Sequence, residues 1–391
     1  MSISYIPDHV KVRLWGKAAG RCEYEGCNTP LWLDALTKAE FNTAYVAHIY
    51  ADSPGGPRYD AVKSDALKAD ISNLMLMCDE HHRLIDKAEV DAHPVERLVA
   101  MKKAHEDRIE IVGGIAADLR SEVVLYGANV GEHNAAITWN QAALAMAPNR
   151  YPASSRAIAL GLQNSLDDDR NKTYWEQESL QLKTAVDRLV RPVLSGDGPH
   201  VSVFGLAPQP LLVLLGSLIC DIHKADVYQV RDLDRDDLDV YQLHREPKQT
   251  WSWDDDDVDA PFEVVMEPPT ASHAQVAVVF GISAPVHHDR VHRVLGLDVS
   301  IWTVRLVAPG NDTLRCRRHL RQFREACREL FRRVNVEHPH LDALHVFPAM
   351  PVSACIELGR VHQPKADPPL EIYDEQRGLG GFVKAICVPL R

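Results

Sequence analysis

The chain has 391 residues, with 46% hydrophobic and 25% charged side chains and a formal net charge of −12. This composition is typical of globular proteins and excludes a disordered or membrane-embedded chain, and the length predicts two or three domains. The longest apolar run, Leu211 to Cys220, is broken by Gly216 and Ser217 and is too short to span a bilayer. The N-terminus has no secretory signal pattern and the eight cysteines indicate no disulfide framework, so we expect a cytoplasmic protein without a membrane partner.

The negative charge argues against nucleic-acid binding by basic side chains alone, because phosphate contacts normally come from Lys and Arg. Acidic side chains are concentrated in three runs, at 166–169, 231–237 and 254–257, all beyond the first 112 residues. We interpret these runs as solvated loops. A metal ion or an oligomeric assembly would then contribute part of any affinity of the first region for DNA.

Four side chains that commonly bind metals are found in the first region. Cys22 and Cys27 are spaced C-x4-C, and Cys78 and His81 are spaced C-x2-H. Three thiols and one imidazole form a ligand set that suits a tetrahedral structural zinc. The spacing therefore predicts a zinc knuckle built by these four residues.

A second group of polar residues lies between and beside these ligands. His48, Asn73 and His82 are the residue types needed for metal-assisted phosphodiester hydrolysis, and we take them as candidate catalytic residues. Asp86 follows His82 by four residues, which places both on one helical face. His82 and Asp86 are therefore our candidate ligands for a catalytic divalent metal.

The first region is predicted to contain helices and two short strands. The helices are predicted over 7–19, 79–86 and 94–111, with a further helix or turn from Ser64, and the strands over 44–50 and 74–77. Asp8 and Asp79 are candidate helix caps. The segment 53–57 is predicted to be a loop, and we interpret the adjacent Arg58 and Tyr59 as part of its surface rather than as DNA contacts.

Gly113 and Gly114 predict a linker, which we place at 113–121. Beyond it, strands alternate with helices, which predicts a mostly parallel sheet covered on both faces. The strands are predicted over 122–126, 200–205, 275–281, 301–307 and 344–347, and the helices over 175–190, 211–222, 314–334 and 352–358.

The second region contains the same strand–turn–helix sequence pattern twice. Residues 204–210 (FGLAPQP) and 346–351 (VFPAMP) each join a buried strand to a helix through a turn that contains Pro and Ala. In open α/β sheets ligands bind outside the carboxyl ends of strands, and a helix N-terminus favours an anion. Two such units facing each other predict a site for a ligand with two phosphates, and the alternative is ordinary packing punctuated by proline.

These motifs resemble two known families. Residues 20–110 resemble the HNH, or ββα-metal, endonucleases, through the Ala-His-Ile strand at 47–49 and the Asn…Cys-x-x-His-His…Asp pattern at 73–86. Residues from about 120 to 391 resemble the SAVED domain, a fused pair of CARF-like units, through 204–221, 347–360 and 369–382. Together they resemble the HNH–SAVED effector nucleases of CBASS antiphage systems.

The resemblance implies a multidomain protein of mixed α+β and α/β class. An HNH endonuclease domain with a ββα-metal fold and a zinc knuckle is expected at 1–112, followed by the linker 113–121. A SAVED sensor domain is expected at 122–391. Its two CARF-like, Rossmann-like halves are expected at about 122–260 and 261–391.

The HNH resemblance also implies catalytic roles. His48 is expected to be the general base that activates water. A divalent cation, Mg²⁺ or a transition metal, is expected to bind the scissile phosphate and stabilise the leaving 3′ oxygen, with His82 as a ligand. Asn73 either orients the catalytic strand and helix or joins the metal shell. Many HNH enzymes carry Asp or His directly before the catalytic His, whereas this chain has Ala47, so we assign the missing ligand to Asp86.

The SAVED resemblance implies an activating ligand, a cyclic dinucleotide or short cyclic oligonucleotide made by a partner nucleotidyltransferase. The candidate ligand-binding residues are Pro348, Ala349, Pro351, Gln209, Arg360 and Tyr373. Trp251 and Trp253 either stack on a base or pack in the core. The arginines between 315 and 333 form either a solvated helix face or a contact with ligand phosphates, an oligomer partner or the DNA backbone.

The predicted function is a switch. Ligand binding drives an assembly, tetrameric by resemblance, that pairs two nuclease sites and cuts double-stranded DNA. Two alternatives stay open on the residues alone. One is a constitutive restriction-type HNH endonuclease whose C-terminal half recognises DNA or a modification. The other is a non-catalytic zinc-knuckle protein that binds nucleic acid, with which Ala47 is compatible.

Overall fold

The protein divides into two compact units, Met1–Ala116 (unit 1) and Ala117–Arg391 (unit 2). The computed structural model describes residues 5–34, 36–129, 137–161, 172–196, 200–232, 249–254, 259–267, 275–307, 309–310, 313–376 and 381–390. The predicted linker, 113–121, contains the last residue of a helix, a 3₁₀ turn and the first residues of a strand.

Unit 1 packs helices around an antiparallel pair of strands. Its elements are α1 (Asp8–Lys17), β1 (Tyr45–His48), α2 (Lys63–Leu67), β2 (Leu74–Met77), α3 (Asp79–Arg83) and α4 (Val95–Gly113). All four residues of β2 are buried, as a continuous apolar run of this length predicts. Leu14 of α1 and Leu98 of α4 belong to the same core, which fixes β2 at the centre of the unit.

Two helix starts in unit 1 differ from the prediction. Pro7 occupies the N-cap position of α1, and Asp8 lies in the first turn. Cys78 occupies the N-cap position of α3 without a side-chain cap, and Asp79 pairs instead with Arg83 at 3.0 Å. Helix α3 continues as a π-helical turn over Leu84–Ala88, an irregularity that often marks functional sites.

The first half of unit 2 is built on a parallel sheet. Its elements are β3 (Arg120–Gly127), α5 (Trp139–Met146), β4 (Tyr151–Pro152), β5 (Ile158–Ala159), α6 (Lys172–Ala185), α7 (Arg191–Leu194), β6 (Val201–Leu206), α8 (Gln209–Ile219) and β7 (Ala225–Val227), followed by the antiparallel pair β8 (Val230–Asp232) and β9 (Gln249–Trp251). Among the described residues the strand order is β4-β3-β6-β7, and β5 also pairs with β3. The alternation of strands and helices predicted this parallel arrangement.

The second half of unit 2 is built on a mixed sheet. Its elements are β10 (Phe262–Glu267), β11 (Gln275–Gly281), α9 (His288–Leu295), β12 (Val299–Leu306), α10 (Arg317–Glu337), β13 (Leu344–Ala349), α11 (Val352–Val361), β14 (Leu370–Gln376) and β15 (Gly381–Val388). The described strands run in the order β10-β12-β11-β13-β14-β15. The inner strands are parallel, and β10 and β15 pair antiparallel at the two edges.

The two halves share one pattern of connections. In the first half, β3 and β6 are neighbours, and the chain leaves β3 towards β4 and leaves β6 through α8 towards β7. In the second half, β11 and β13 are neighbours. The chain leaves β11 towards β12 on one side, and it leaves β13 through α11 towards β14 on the other side. Each half therefore has a topological switch point, the place where open α/β sheets bind ligands. The repeated strand–turn–helix pattern forms equivalent pairs of elements in the two halves, β6 with α8 and β13 with α11.

Helices α8 and α11 join the two halves through close backbone contact. A Cβ atom added at Gly216 would lie 1.9 Å from the carbonyl oxygen of Ile356, and one added at Gly359 would lie 1.9 Å from that of Val213. Real Cβ contacts are never that short, so glycine is required at both positions. This packing brings the two predicted turns into one unit.

No helix among the described residues combines the length and the apolar composition that a membrane span requires.

Candidate metal centre and active-site cavity

The four predicted zinc ligands converge in unit 1. Three of them, Cys22, Cys78 and His81, come from the turn after α1, the end of β2 and the first turn of α3, and Cys27 completes the set. One ligand atom from each residue lies within 4.8 Å of all the others. The Cys22 amide donates to the carbonyl of Thr29 at 3.0 Å, which folds the turn back on itself.

The distances in this Cys₃His cluster lie on either side of those in a tetrahedral zinc site. The Nδ1 atom of His81 lies 3.1 Å from the Cys78 Sγ and 3.9 Å from the Cys22 Sγ. Zinc bonds of about 2.0–2.3 Å place tetrahedral ligand atoms about 3.5–3.8 Å apart. Burial raises the pKa of the Cys22 and Cys78 thiols, so these thiols need a cation to become thiolate ligands.

Side chains around the cluster orient its imidazole. The ring of Tyr24 stacks on His81 with centroids 4.0 Å apart and planes 10° apart. The Tyr24 hydroxyl donates to the Nε2 atom of buried His93 at 3.0 Å, and the Nδ1–H of His93 donates to the carbonyl of Glu89 at 2.7 Å. Outer-shell partners of this kind hold metal ligands in place. The sequence pattern did not predict the roles of Tyr24 and His93, since neither residue has ligand spacing.

A buried carboxylate ties the knuckle to β2. The Glu23 amide donates to the carbonyl of Leu76 at 2.9 Å, and the Leu76 amide donates to Oε2 of Glu23 at 2.5 Å. The Lys102 ammonium lies 3.7 Å from Oε1 of Glu23. Burial nevertheless raises the pKa of Glu23 to about 7. Sequence analysis missed Glu23, although an acidic residue directly after a ligand cysteine is a signal worth testing.

The candidate catalytic residues His48, His82 and Asp86 open into one cavity of about 640 Å³. The cavity is also lined by Tyr45, Val46, Ala51, Asp52, Ser53, Gly56, Pro57, Asp79, Arg83 and Lys87. Consecutive helical residues point about 100° apart. The adjacent residues His81 and His82 therefore serve two sites, the Cys₃His cluster and the cavity.

His48 is held in a defined tautomer. It lies in β1 opposite Leu74 of β2 and is largely buried. Its Nε2 atom lies 2.9 Å from the carbonyl oxygen of Lys68. A carbonyl oxygen only accepts, so Nε2 donates, and in the neutral imidazole Nδ1 is the nitrogen with the lone pair. A general base at this position would therefore act through Nδ1.

His82 and Asp86 form the second pair in the cavity. The His82 Nε2 atom lies 3.3 Å from Oδ2 of Asp86, and the ring of Tyr45 stacks on His82 at 4.9 Å. Burial raises the pKa of Asp86, but the hydrogen bonds from His82 and Arg58 outweigh it and hold the pKa below its ordinary value. Neighbouring ligand atoms of an octahedral Mg²⁺ lie about 3.0 Å apart, so the spacing of this pair suits a divalent cation. Ala47 is packed in the core of unit 1 and offers no ligand.

Asn73 orients the strands instead of lining the cavity. Its Oδ1 atom accepts from the Tyr50 amide at 2.7 Å, and its Nδ2 donates to the Tyr50 carbonyl at 3.1 Å. The side chain is buried and both of its amide atoms have main-chain partners. Of the two roles open at Asn73, the structure favours orientation of the strand exit over a place in the metal shell.

In unit 2 the two predicted turns meet through one side chain. Gln209, at the start of α8, accepts through Oε1 from the Met350 amide at 3.0 Å. Gln229, which sequence analysis missed, accepts from the amide and hydroxyl of Ser353 at the start of α11. Pro348 and Pro351 are buried and Ala349 is half-buried beside Met350. Gln209 thus links the start of α8 to the turn before α11, and Gln229 holds the first turn of α11.

Arg360 and Tyr373 do not belong to this site. Arg360 lies near the C-terminal end of α11, where its guanidinium donates to the carbonyls of Cys220, His223 and Ala225 and pairs with Glu357. Tyr373 stacks on Phe347 at 4.5 Å in the core around α9. Long-range partners bury both side chains away from the joined turns, and their role as ligand contacts stays a prediction.

The two tryptophans pack in the core, which was one of their two predicted roles. Trp251 meets Phe204 edge to face at 5.3 Å and is buried. Trp253 donates its Nε1–H to the carbonyl of Val227 at 3.2 Å.

The arginine-rich helix α10 makes internal ion pairs. Arg317 pairs with Asp226 of β7 at 3.2 Å, Arg318 with Asp259 at 2.7 Å, and Arg324 with Glu357 of α11. Arg333 lies over the ring of Trp302 at 4.7 Å. These arginines cross-link elements of unit 2, a role that the alternatives of solvated face or external contact did not include.

Comparisons with known proteins address unit 2. A sequence model of the family described as "SMODS-associated and fused to various effectors sensor domain" (SAVED) matches residues 182–388. No curated protein matches the chain. Similar solved structures include the SAVED/CARF-domain containing receptor Cap4 of Acinetobacter baumannii and that of Moraxella osloensis.

The A. baumannii receptor with the cyclic trinucleotide 3′3′3′-cAAA shares 11% identity at a TM-score of 0.42, over 84% of this chain and 67% of that chain. The same receptor with 2′3′3′-cAAA shares 12% identity at a TM-score of 0.41, over 76% of this chain and 55% of that chain. The M. osloensis receptor shares 11% identity at a TM-score of 0.40, over 84% of this chain and 66% of that chain. The chain thus spans between about half and two thirds of these relatives.

Such identities and TM-scores are too low to support an argument about this chain, so its assignment depends on the sequence match. That match covers more than half of the 391 residues and includes both α8 and α11. The chain belongs to the SAVED family of SMODS-associated sensor domains fused to various effectors.

Proposed function

We propose that unit 1 is an HNH-type, metal-dependent DNA endonuclease and that unit 2 controls it by sensing a cyclic oligonucleotide. The observation that carries the nuclease part is the cavity shared by His48, His82 and Asp86, directly beside the Cys₃His cluster. A general base and a ligand pair facing one concave space are the parts that phosphodiester hydrolysis needs.

The chemistry assigned to each residue follows from its contacts. The Lys68 carbonyl fixes Nε2–H of His48, so Nδ1 can take the proton of a water molecule. His82 Nε2 and Asp86 Oδ2 would hold a divalent cation, which stabilises charge on the leaving 3′ oxygen when bound. Zinc in the Cys₃His cluster would pin α3, so that His81 and His82 are positioned together.

The antiparallel strands β1 and β2 followed by α3 support the HNH assignment. His48 closes β1, and His82 and Asp86 lie on α3 and the π-helical turn that continues it. The order strand, strand, helix is that of a ββα-metal unit, with the general base on the first strand and the metal ligands on the helix.

The sensor part follows from family membership and from the joined helix starts. Residues that begin α8 and α11 lie at the carboxyl ends of β6 and β13, and the Gln209–Met350 hydrogen bond links them. Helix N-termini favour phosphate groups. The A. baumannii Cap4 receptor was solved with 3′3′3′-cAAA and with 2′3′3′-cAAA, and we include both among the ligands to test.

The proposed coupling is a ligand-driven assembly, tetrameric by resemblance, that pairs two nuclease sites on double-stranded DNA. A ligand shifts such an equilibrium only by its difference in affinity for the assembled and resting forms. The activating ligand must therefore bind the assembled form more tightly.

The test uses the full chain, plasmid DNA and Mg²⁺ or Mn²⁺, with cyclic dinucleotides and both cyclic trinucleotides added one at a time. We expect cleavage and an increase in mass by light scattering with one of these ligands. His48→Ala is expected to reduce cleavage at least about 100-fold, the scale of a lost general base, while the mass increase stays. His9→Ala, at an exposed histidine of α1, is the matched control and should cut normally.

Three results would contradict the proposal. Cleavage without ligand by the unassembled chain would favour a constitutive restriction-type enzyme. A biological effect unchanged by His48→Ala would favour the non-catalytic nucleic-acid binder. A chain that binds none of the cyclic nucleotides would leave unit 2 without the proposed ligand class.

A further inference from the structure

We propose that Arg58 is the positioning residue of the cavity, because it holds Asp86 in the orientation that pairs with His82. This inference rests on the proposed function of unit 1, since it assigns Asp86 a part in the site. Arg58 belongs to the predicted surface loop, and the structure places its side chain inside the unit with 6% exposure.

The guanidinium of Arg58 joins two elements. Nε donates to the carbonyl of Ile49 at 2.9 Å, directly after β1. One terminal nitrogen donates to the carbonyl of Ile85 at 2.7 Å, and the other pairs with Oδ1 of Asp86 at 2.6 Å, both in the π-helical turn. The rigid fork of a guanidinium can make these contacts together, whereas the point charge of a lysine cannot.

The backbone of the loop is built around this contact. Arg58 has φ +58°, in the left-handed region that residues other than glycine rarely occupy. Gly56 presses against Ala51, and a Cβ atom at this glycine would lie 2.6 Å from the Ala51 Cβ. Strain of this kind persists where surrounding contacts over-determine it, and it clusters at functional sites. The loop from Ser53 to Pro57 also forms a wall of the cavity.

The two oxygens of Asp86 have separate partners. Oδ1 accepts from Arg58, and Oδ2 faces Nε2 of His82 at 3.3 Å. The Tyr45 ring stacks on His82 from the cavity side. Without the guanidinium the carboxylate would be free to rotate, and the spacing between Oδ2 and Nε2 would no longer be set. Loss of an outer-shell partner typically weakens metal binding about 10- to 100-fold.

The experiment measures Mn²⁺ binding by the zinc-loaded full chain, using electron paramagnetic resonance titration. We expect Arg58→Lys to weaken Mn²⁺ binding at least about tenfold. Arg13→Lys, at an exposed arginine of α1, is the matched control and should bind Mn²⁺ like the wild type. Zinc content and the thermal transition report whether each variant is folded.

A double variant separates positioning from general support of the fold. Asp86→Ala keeps the two main-chain contacts of Arg58 and removes only the carboxylate. If Arg58 acts through Asp86, Arg58→Lys causes no further loss of Mn²⁺ affinity in the Asp86→Ala background. An additive loss would overturn the inference. If Arg58→Lys does not fold, Gly56→Ala is the second variant, because it displaces the loop and keeps the guanidinium. Unchanged Mn²⁺ affinity in Gly56→Ala would overturn the inference.

The failure of this inference can be told apart from failure of the proposed function. Wild-type protein that binds no Mn²⁺, or a His48→Ala variant that cuts like the wild type, would overturn both. Equal Mn²⁺ affinity in the wild type and Arg58→Lys, with ligand-dependent cleavage intact, would overturn the inference alone.

Discussion

The candidate site of unit 1 is assembled from polar side chains, whereas the joined turns of unit 2 are held by backbone packing. In unit 1 three thiols and an imidazole meet within 4.8 Å, and a buried guanidinium bridges β1 and the π-helical turn. In unit 2 the backbones of α8 and α11 touch at Gly216 and Gly359, and the Gln209–Met350 hydrogen bond joins the turns.

This difference separates two sources of stability. The free energy of metal binding to such a cluster contributes directly to folding, so we expect unit 1 to depend on its metal. Close helix packing depends on shape alone, so we expect unit 2 to be indifferent to metal and sensitive to single methyl groups. Each unit should therefore respond to a different kind of change.

The largest expected effect is the loss of zinc from unit 1. Structural zinc contributes about 10 kcal/mol to small knuckles, so Cys78→Ala or a strong chelator should abolish the folded state of unit 1. Elemental analysis should find one zinc per wild-type chain and none in the variant, and calorimetry should show that the transition of unit 2 persists. Cys387→Ser, at a thiol of β15, is the control and should keep its zinc. If the purified wild-type protein contains no zinc, the expected metal dependence of unit 1 is contradicted.

A methyl group at the helix crossing should have the next largest effect. In Gly359→Ala the new Cβ meets the carbonyl oxygen of Val213 at 1.9 Å, and we expect a loss of about 3 kcal/mol or more in the unfolding free energy of unit 2. Gly16→Ala, in α1 with open space around it, should instead stabilise unit 1 by about 0.5–1 kcal/mol. Denaturant unfolding of each unit measures both. An unchanged unit 2 in Gly359→Ala would show that α8 and α11 can separate freely.

The smallest expected effect is the pH dependence that His200 gives to the stability of unit 2. Burial lowers the pKa of His200 to about 4, against the opposing attraction of Asp226. The unfolded chain then binds more protons than the folded one between pH 6.5 and about 4, so stability falls as the pH is lowered through this range, by up to about 3 kcal/mol. His200→Gln should flatten this dependence in calorimetric melts of unit 2.

His287→Gln, at an exposed histidine before α9, is the control for His200→Gln and should keep the pH dependence of the wild type. A wild-type unit 2 that is equally stable at both ends of the range would contradict the burial account of His200.

Local spacing accounts for what could be predicted in unit 1. The ligands Cys22, Cys27, Cys78 and His81 are marked by two short spacings, and they meet in the structure. His82 and Asp86 were paired from their separation of four residues, and they lie 3.3 Å apart. Within each pair the residues are neighbours in sequence, whose relative position a turn or a helix already determines. The two ligand pairs meet through the tertiary fold.

Long-range contacts account for what could not be predicted. Arg360 resembles a ligand-binding cation in sequence, but its partners are carbonyls well over one hundred residues earlier. Arg58 resembles a surface arginine, but its guanidinium is buried against Ile49 and the π-helical turn. Nothing in the local pattern around either arginine shows which carbonyl or carboxylate will lie beside it.

The amino-acid sequence by itself determined the metal-ligand set, the repeated strand–turn–helix device and the alternation of strands and helices, because each depends on periodicity or short spacing. The tertiary structure alone decided that Asn73 braces the strands, that Tyr373 and Arg360 are buried, and that Arg58 faces Asp86. The physical reason is that burial and hydrogen-bond pairing belong to surfaces brought together from distant parts of the chain.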